Sequence, residues 1–144
     1  MAEGFLREAL PAQWGGEVIV SSAGTHAWNG QRAASLSAKV MTEEGIDISG
    51  HSARLVTPDI INKASLIIAL TSAHMEIMKA TAPGAGEWMV VLGELDPERD
   101  NADVEDPIGG SIEDYRAARD DIAGLIVFLL KYIAVRFDLQ TDGQ

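Results

Sequence analysis

An α/β fold, an open parallel sheet flanked by helices on both faces, is the architecture this sequence predicts, and two observations carry the prediction. Short β-branched apolar runs alternate with segments whose apolar residues recur at helical spacing. Apolar residues make up 47% of the 144 positions and aromatics only 6%, so the core is aliphatic, as buried parallel strands require. A chain of this length forms one domain, expected over residues 1–138, with residues 139–144 a frayed tail.

The elements follow in order. Ala2, Phe5, Leu6, Ala9 and Leu10 repeat at helical spacing until Pro11 stops them. Val18-Ile19-Val20 reads as a buried strand emptying into the loop that begins at Ser21. Leu36, Val40 and Met41 mark a helix that Gly45 terminates, and Thr57-Pro58-Asp59 is the start of another. A second strand spans residues 66–70. Thr71 or Ser72 caps a helix running to about Ala82, and Pro83 and Gly84 end it. Met89-Val90-Val91-Leu92 is the third strand, followed by a long acidic loop. Ser111 with Asp114 is a capping box, and Ile122, Leu125, Ile126, Leu129, Leu130 and Ile133 form the buried stripe of the last helix. In an open parallel sheet any site lies at the carboxyl ends of the strands, so residues 21–28, residues 71–74 and the loop before Ser111 share one edge.

Composition excludes several functions. A formal net charge of −11 opposes broad electrostatic binding of nucleic acid or an anionic membrane. The longest apolar run, residues 123–130, is well short of the roughly 20 residues a membrane helix needs, and the expected location is cytoplasmic. The chain contains no cysteine, which removes disulfides, thiolate metal sites and cysteine nucleophiles from these residues. His26 and His74 show no metal-ligand spacing, and neither a metal nor another cofactor is expected. The face at Val127, Phe128 and Tyr132 is compatible with a monomer or a weak dimer.

The stretch that carries chemistry is Asp106-Pro107-Ile108-Gly109-Gly110. Asp favours the first position of a tight turn, Pro presets φ for the second, and glycine tolerates the positive φ that closes it. The same residues read as a carboxylic acid held on a rigid turn.

Four stretches in order resemble the low-molecular-weight protein-tyrosine phosphatases of the bacterial type. Met1-Ala2-Glu3-Gly4-Phe5 is similar to the start of that family's first helix, just after its Cys-x-x-x-x-x-Arg loop. Ser21-Ser22-Ala23-Gly24-Thr25-His26-Ala27-Trp28 is similar to the exit of its second strand. Gly45-Ile46-Asp47-Ile48-Ser49-Gly50-His51 is similar to its next turn, and Asp106 to Gly110 to its general-acid loop. The resemblance runs from Met1 to about Leu130.

It implies hydrolysis of phosphotyrosine-type monoesters, on a phosphorylated protein or a small aryl phosphate, through a phosphocysteine intermediate. Asp106 would protonate the leaving oxygen and then act as base on water. Ser22 and His51 match positions that hydrogen-bond the base of the phosphate loop. Trp28 matches an aromatic wall of the substrate pocket, and Ile108 takes the opposite wall, where the family usually has an aromatic ring. The family's first strand and phosphate loop would precede Met1, so the expected fold has the first strand absent. These residues lack the nucleophile and are expected to be inactive alone. Either Met1 is an internal methionine, or the chain is a non-catalytic protein-binding relative. Two unpaired apolar ladders would be an aggregation liability, which favours the first explanation. Thiol-dependent arsenate reductases share the fold but need further cysteines that this chain does not have.

Overall fold

The computed structural model describes residues 1–141. Helix α1 (Ala2–Ala9) leads through a 3-10 turn at Ala12–Trp14 to α2 (Ser35–Glu43), α3 (Pro58–Lys63) and β1 (Ile67–Ala69). Then come α4 (Ser72–Thr81), a 3-10 turn at Ala85–Trp88, β2 (Met89–Val91), a 3-10 turn at Leu92–Leu95 and the long α5 (Ile112–Phe137). The two strands pair in parallel, with Ile67 beside Met89, Ile68 beside Val90 and Ala69 beside Val91.

Side-chain alternation along β1 puts a helical layer on each face. Leu66, Ile68 and Leu70 pack with Ile122, Leu125, Ile126 and Leu129 of α5 and with α1. Ile67 and Ala69 point the other way, onto Ile61 of α3 and Met78 of α4. Each such buried Leu or Ile contributes about 1.5–3 kcal/mol, so α5, which packs against both α1 and α2, is the main support of the site described below.

The helix starts form as their residues dictate. The Thr57 hydroxyl accepts from the Ile60 amide with Pro58 at the first helical position, and the Thr71 hydroxyl accepts from the His74 amide. Ser111 and Asp114 complete a reciprocal capping box at the start of α5. Gly45, just past α2, has φ +74°, the left-handed value that glycine adopts without penalty.

Two expectations change. Val18-Ile19-Val20 forms no strand, and Ile19 is 90% exposed. β-branched residues make a strand only where a neighbour supplies the ladder, and the sheet among the described residues consists of β1 and β2 alone, so this run has no strand beside it to join. Its anchors are local instead: Val18 packs at the rim of the α5 cluster, and the Val20 carbonyl accepts from the Arg7 guanidinium at 2.7 Å. At the other end, residues 142–144 of the expected frayed tail lie outside the described residues, but the two positions after Asp138 are fastened. The Leu139 amide donates to the Ala134 carbonyl at 2.9 Å, and the Gln140 carbonyl accepts from the indole N–H of buried Trp14 at 2.6 Å. An indole buried in an apolar cluster needs a partner for its N–H, and the tail supplies it.

Candidate active site

Helix α1 begins the site. No side chain caps its first turn, so its leading end carries the partial positive charge of unsatisfied amides. Gly4 lets this turn sit close to α2 and the chain just beyond it: a Cβ there would lie 3.0 Å from Ile48 and 3.2 Å from Met41. Glu3, in the same turn, gathers three partners. Its carboxylate accepts a short hydrogen bond from the Ser22 hydroxyl, pairs with Arg7 at 2.7 Å, and lies 3.6 Å from His51 Nδ1. The loop bearing Ser22 is tied to the segment after His51: Arg54 donates to the Ser22 carbonyl at 3.0 Å and to the Ser21 hydroxyl at 2.9 Å. Gly24 and Leu55 form a parallel bridge there.

The acidic loop returns to β1 through ties at both sides. The Val104 amide donates to the Leu70 carbonyl at 2.8 Å, which continues the strand edge into the loop. Asp103 accepts from the Ser72 amide at 2.7 Å and from its hydroxyl at 2.9 Å, and these bonds hold its carboxyl below the usual carboxylate range. Asp106 Oδ1 accepts from the Ile108 amide at 3.0 Å, and the Gly110 amide donates to the Pro107 carbonyl at 2.8 Å. The turn therefore spans Pro107 to Gly110, one residue later than Asp and Pro alone suggest, with Gly109 at φ +76° in its third position. The displacement leaves Asp106 outside the turn proper, its side chain bent over the turn's first amides.

Two clefts flank this loop. The inner one, about 270 Å³, is bounded by Met1 and Ala2 of α1, Leu70 at the end of β1, His74 in the first turn of α4, Asp106, Ile108 and Tyr115. The outer one, about 560 Å³, lies between the loop and α5 and includes Glu105, Asp106, Asp114 and Asp121. The inner cleft is the chemically informative one, because there an uncapped helix start and a carboxylic acid line one space at the carboxyl end of a parallel strand.

The sequence-derived residues fall into groups. Asp106 and Ile108 line both clefts, and Ile108 is 79% exposed. Ser22 and His51 come together on Glu3, in the first turn of α1, and not on a loop among the described residues. Trp28 is 79% exposed, so it is no core residue, and it lies outside the lining of either cleft. His74, expected as a solvated helix-start residue, is half-buried against the inner cleft. No group of three or more His, Asp or Glu among the described residues is placed to hold a metal ion. No helix among them is long and apolar enough to cross a membrane.

Sequence reasoning missed three contributors. Glu3 carried no local signal beyond being an acid in a first helical turn. Gly93 approaches the Ala102 carbonyl so closely that any side chain would collide, which lets the acidic loop fold back over β2. Arg99 reaches across to α5, where its guanidinium pairs with Asp121. Its charge could be counted in the sequence, but its partner 22 residues away could not be foreseen.

Comparison with known proteins places the fold and the sequence among known relatives. The family model described as low molecular weight phosphotyrosine protein phosphatase matches residues 1–137. A protein of Ralstonia solanacearum named "Probable low molecular weight protein-tyrosine-phosphatase EpsP" is 36% identical over 74% of this chain and 68% of its own length. A protein-arginine-phosphatase of Geobacillus stearothermophilus is 36% identical over 76% of this chain and 72% of its own. The solved YwlE arginine phosphatase of Geobacillus stearothermophilus superposes with a TM-score of 0.82 at 30% identity, covering 99% of this chain and 89% of that one. With its parallel sheet, its helices on both faces and its four ordered motifs, the chain belongs to the low molecular weight phosphotyrosine protein phosphatase family.

Proposed function

We propose that this chain, acting as one domain over residues 1–138, carries the acid–base half of a phosphomonoester hydrolase, with Asp106 as proton donor and acceptor. The observation that carries the reading is the inner cleft, where the uncapped start of α1 and Asp106 line one space. The helix start attracts the phosphoryl oxygens. A thiolate attacks phosphorus, the bond from phosphorus to the leaving oxygen breaks, and Asp106 donates its proton to that oxygen. Water then attacks the phosphocysteine, Asp106 takes the proton, and inorganic phosphate leaves as the thiolate is restored. The 144 residues hold no cysteine, so this reading takes the thiolate from a Cys-x-x-x-x-x-Arg loop that they do not include.

Ser22 and His51 serve this reading by fixing Glu3 and, through it, the first turn of α1. Ile108 forms an exposed apolar wall of the approach, and Trp28, outside both clefts, presents an exposed ring to an incoming substrate protein. The substrate is a phosphorylated protein side chain or a small aryl phosphate. Named relatives include both tyrosine and arginine phosphatases; on a phosphoarginine side chain the bond that breaks is P–N, and Asp106 donates its proton to the leaving guanidine nitrogen. The protein acts in the cytoplasm as a monomer or weak dimer.

The missing cysteine favours one alternative, a non-catalytic binding module on the same fold. A chimera separates the two. A strand and Cys-x-x-x-x-x-Arg loop fused ahead of Met1 hydrolyses p-nitrophenyl phosphate or phosphoarginine, while the 144-residue chain does not. Asp106→Asn in the chimera lowers turnover about 10²- to 10⁴-fold. A chimera that folds and stays inactive, or whose rate ignores Asp106, overturns the assignment in favour of the binding module.

A further inference from the structure

Arg99 makes more bonds to the acidic loop and its supports than any side chain in that loop, and the reaction described above does not use it. Its Nη2 donates to Asp121 Oδ2 and to the Asp103 carbonyl, at 2.8 and 2.9 Å. Nη1 pairs with the other oxygen of Asp121, and Nε donates to the Asn101 carbonyl. The guanidinium is therefore forked onto a carboxylate of α5 while holding two carbonyls of its own loop. The backbone before it is set for this reach: the Glu98 amide donates to Asp96 Oδ1 at 3.0 Å, and the Arg99 amide donates to the Asp96 carbonyl at 3.2 Å. The second carbonyl it holds belongs to Asp103, whose side chain grips Ser72 at the start of α4. Loop, α5 and α4 thus meet three residues before Asp106.

We infer that Arg99 is a positioning residue: by clamping the Asn101 and Asp103 carbonyls to Asp121 of α5, it fixes where the acid loop delivers the Asp106 carboxylate. The inference rests on the reading of Asp106 as the acid. Lysine cannot substitute fully, because a point charge cannot fork onto a carboxylate and reach two carbonyls together. A clamp acting through Asp121 also has a signature: once either partner is gone, removing the other costs little more.

The test uses the 144-residue chain, by NMR hydrogen exchange of the Val104, Ile108 and Gly110 amides and by the three-bond couplings that report the Asp106 side-chain rotamer. Arg99→Gln speeds exchange of these three amides about tenfold or more, and the Asp106 couplings move toward rotamer averaging. Asp121→Asn does the same, the double variant adds no more than about twofold, and Arg99→Lys falls between Gln and wild type. Amides at the contact of α2 with α5 keep their wild-type exchange. Unchanged Asp106 couplings, a loss of protection spread over the whole chain, or additive effects in the double variant each overturn the clamp. None of these outcomes depends on catalysis. A clamp that holds while the chimera ignores Asp106 would therefore condemn the acid assignment alone.

Discussion

Two adjacent glycines in the acid loop should fail for different physical reasons, and the difference can be worked out from the structure. A Cβ placed on Gly110 would lie 2.6 Å from Asp114 Oδ2, 2.9 Å from the Pro107 carbonyl oxygen and 3.0 Å from Asp114 Cβ. Asp114 cannot simply swing away, because Oδ2 accepts from both the amide and the hydroxyl of Ser111 at 2.7 and 2.9 Å. Gly110→Ala therefore breaks the capping box of α5, worth about 1 kcal/mol. Crowding against the Pro107 carbonyl adds about another 1 kcal/mol. The entropy alanine removes from the unfolded chain returns roughly 0.5 kcal/mol, leaving a net loss of about 1.5 kcal/mol. For a chain of this size that corresponds to a fall in Tm of about 5 °C. Gly109 has open space around its Cβ position, so Gly109→Ala pays only for φ +76°, about 1 kcal/mol, and Gly109→Asn is close to neutral. Urea titration of Gly110→Ala in wild-type and Asp114→Ala backgrounds measures the coupling. In the second background the cost of the methyl falls by about two-thirds, to about 0.5 kcal/mol, since the Pro107 contact remains. A Gly110→Ala loss no larger than that of Gly109→Ala, or one that Asp114→Ala leaves untouched, would refute the steric account.

Further expectations concern the fold that supports the site. Trp14→Phe leaves the Gln140 carbonyl without its indole donor and costs about 1–2 kcal/mol by urea unfolding; ending the chain at Asp138 should cost a similar amount, and combining the two should add little. Leu125→Ala, at the centre of the α5 cluster, costs about 2–5 kcal/mol, read from the denaturation midpoint. Glu43 is held at about 2 chiefly by its hydrogen bonds from Arg116, helped by Arg119. A depressed carboxyl contributes stability that is complete above about pH 4.5 and is lost as pH falls toward 2. Acid unfolding of Glu43→Gln should therefore be less steep across that window than that of wild type.

The elements readable in advance are those whose signals are local. The caps at Thr57, Thr71 and Ser111, the stop at Gly45 and the apolar stripe of α5 each depend on residues within one turn, and each forms where the sequence places it. Val18-Ile19-Val20 did not follow, because a strand is a property of two segments and β-branching speaks for only one. The turn after Asp106 was legible as a turn but not in its register. Asp and Pro favour one placement by propensity, whereas the bond from the Gly110 amide to the Pro107 carbonyl sets another.

By itself the sequence determined the alternation of strands and helices, the family motifs, Asp106 as the candidate acid, and the absence of a cysteine nucleophile from these residues. Only the tertiary structure decided what those residues touch: Glu3 as the meeting point of Ser22 and His51, Arg99 bridging the acid loop to Asp121, and Asp106 lining one cleft with the start of α1. Propensities, caps and turns act over a few neighbouring residues and are written in order along the chain. The partner of a charged side chain is chosen by which helix packs beside which, and that depends on the burial of the whole core.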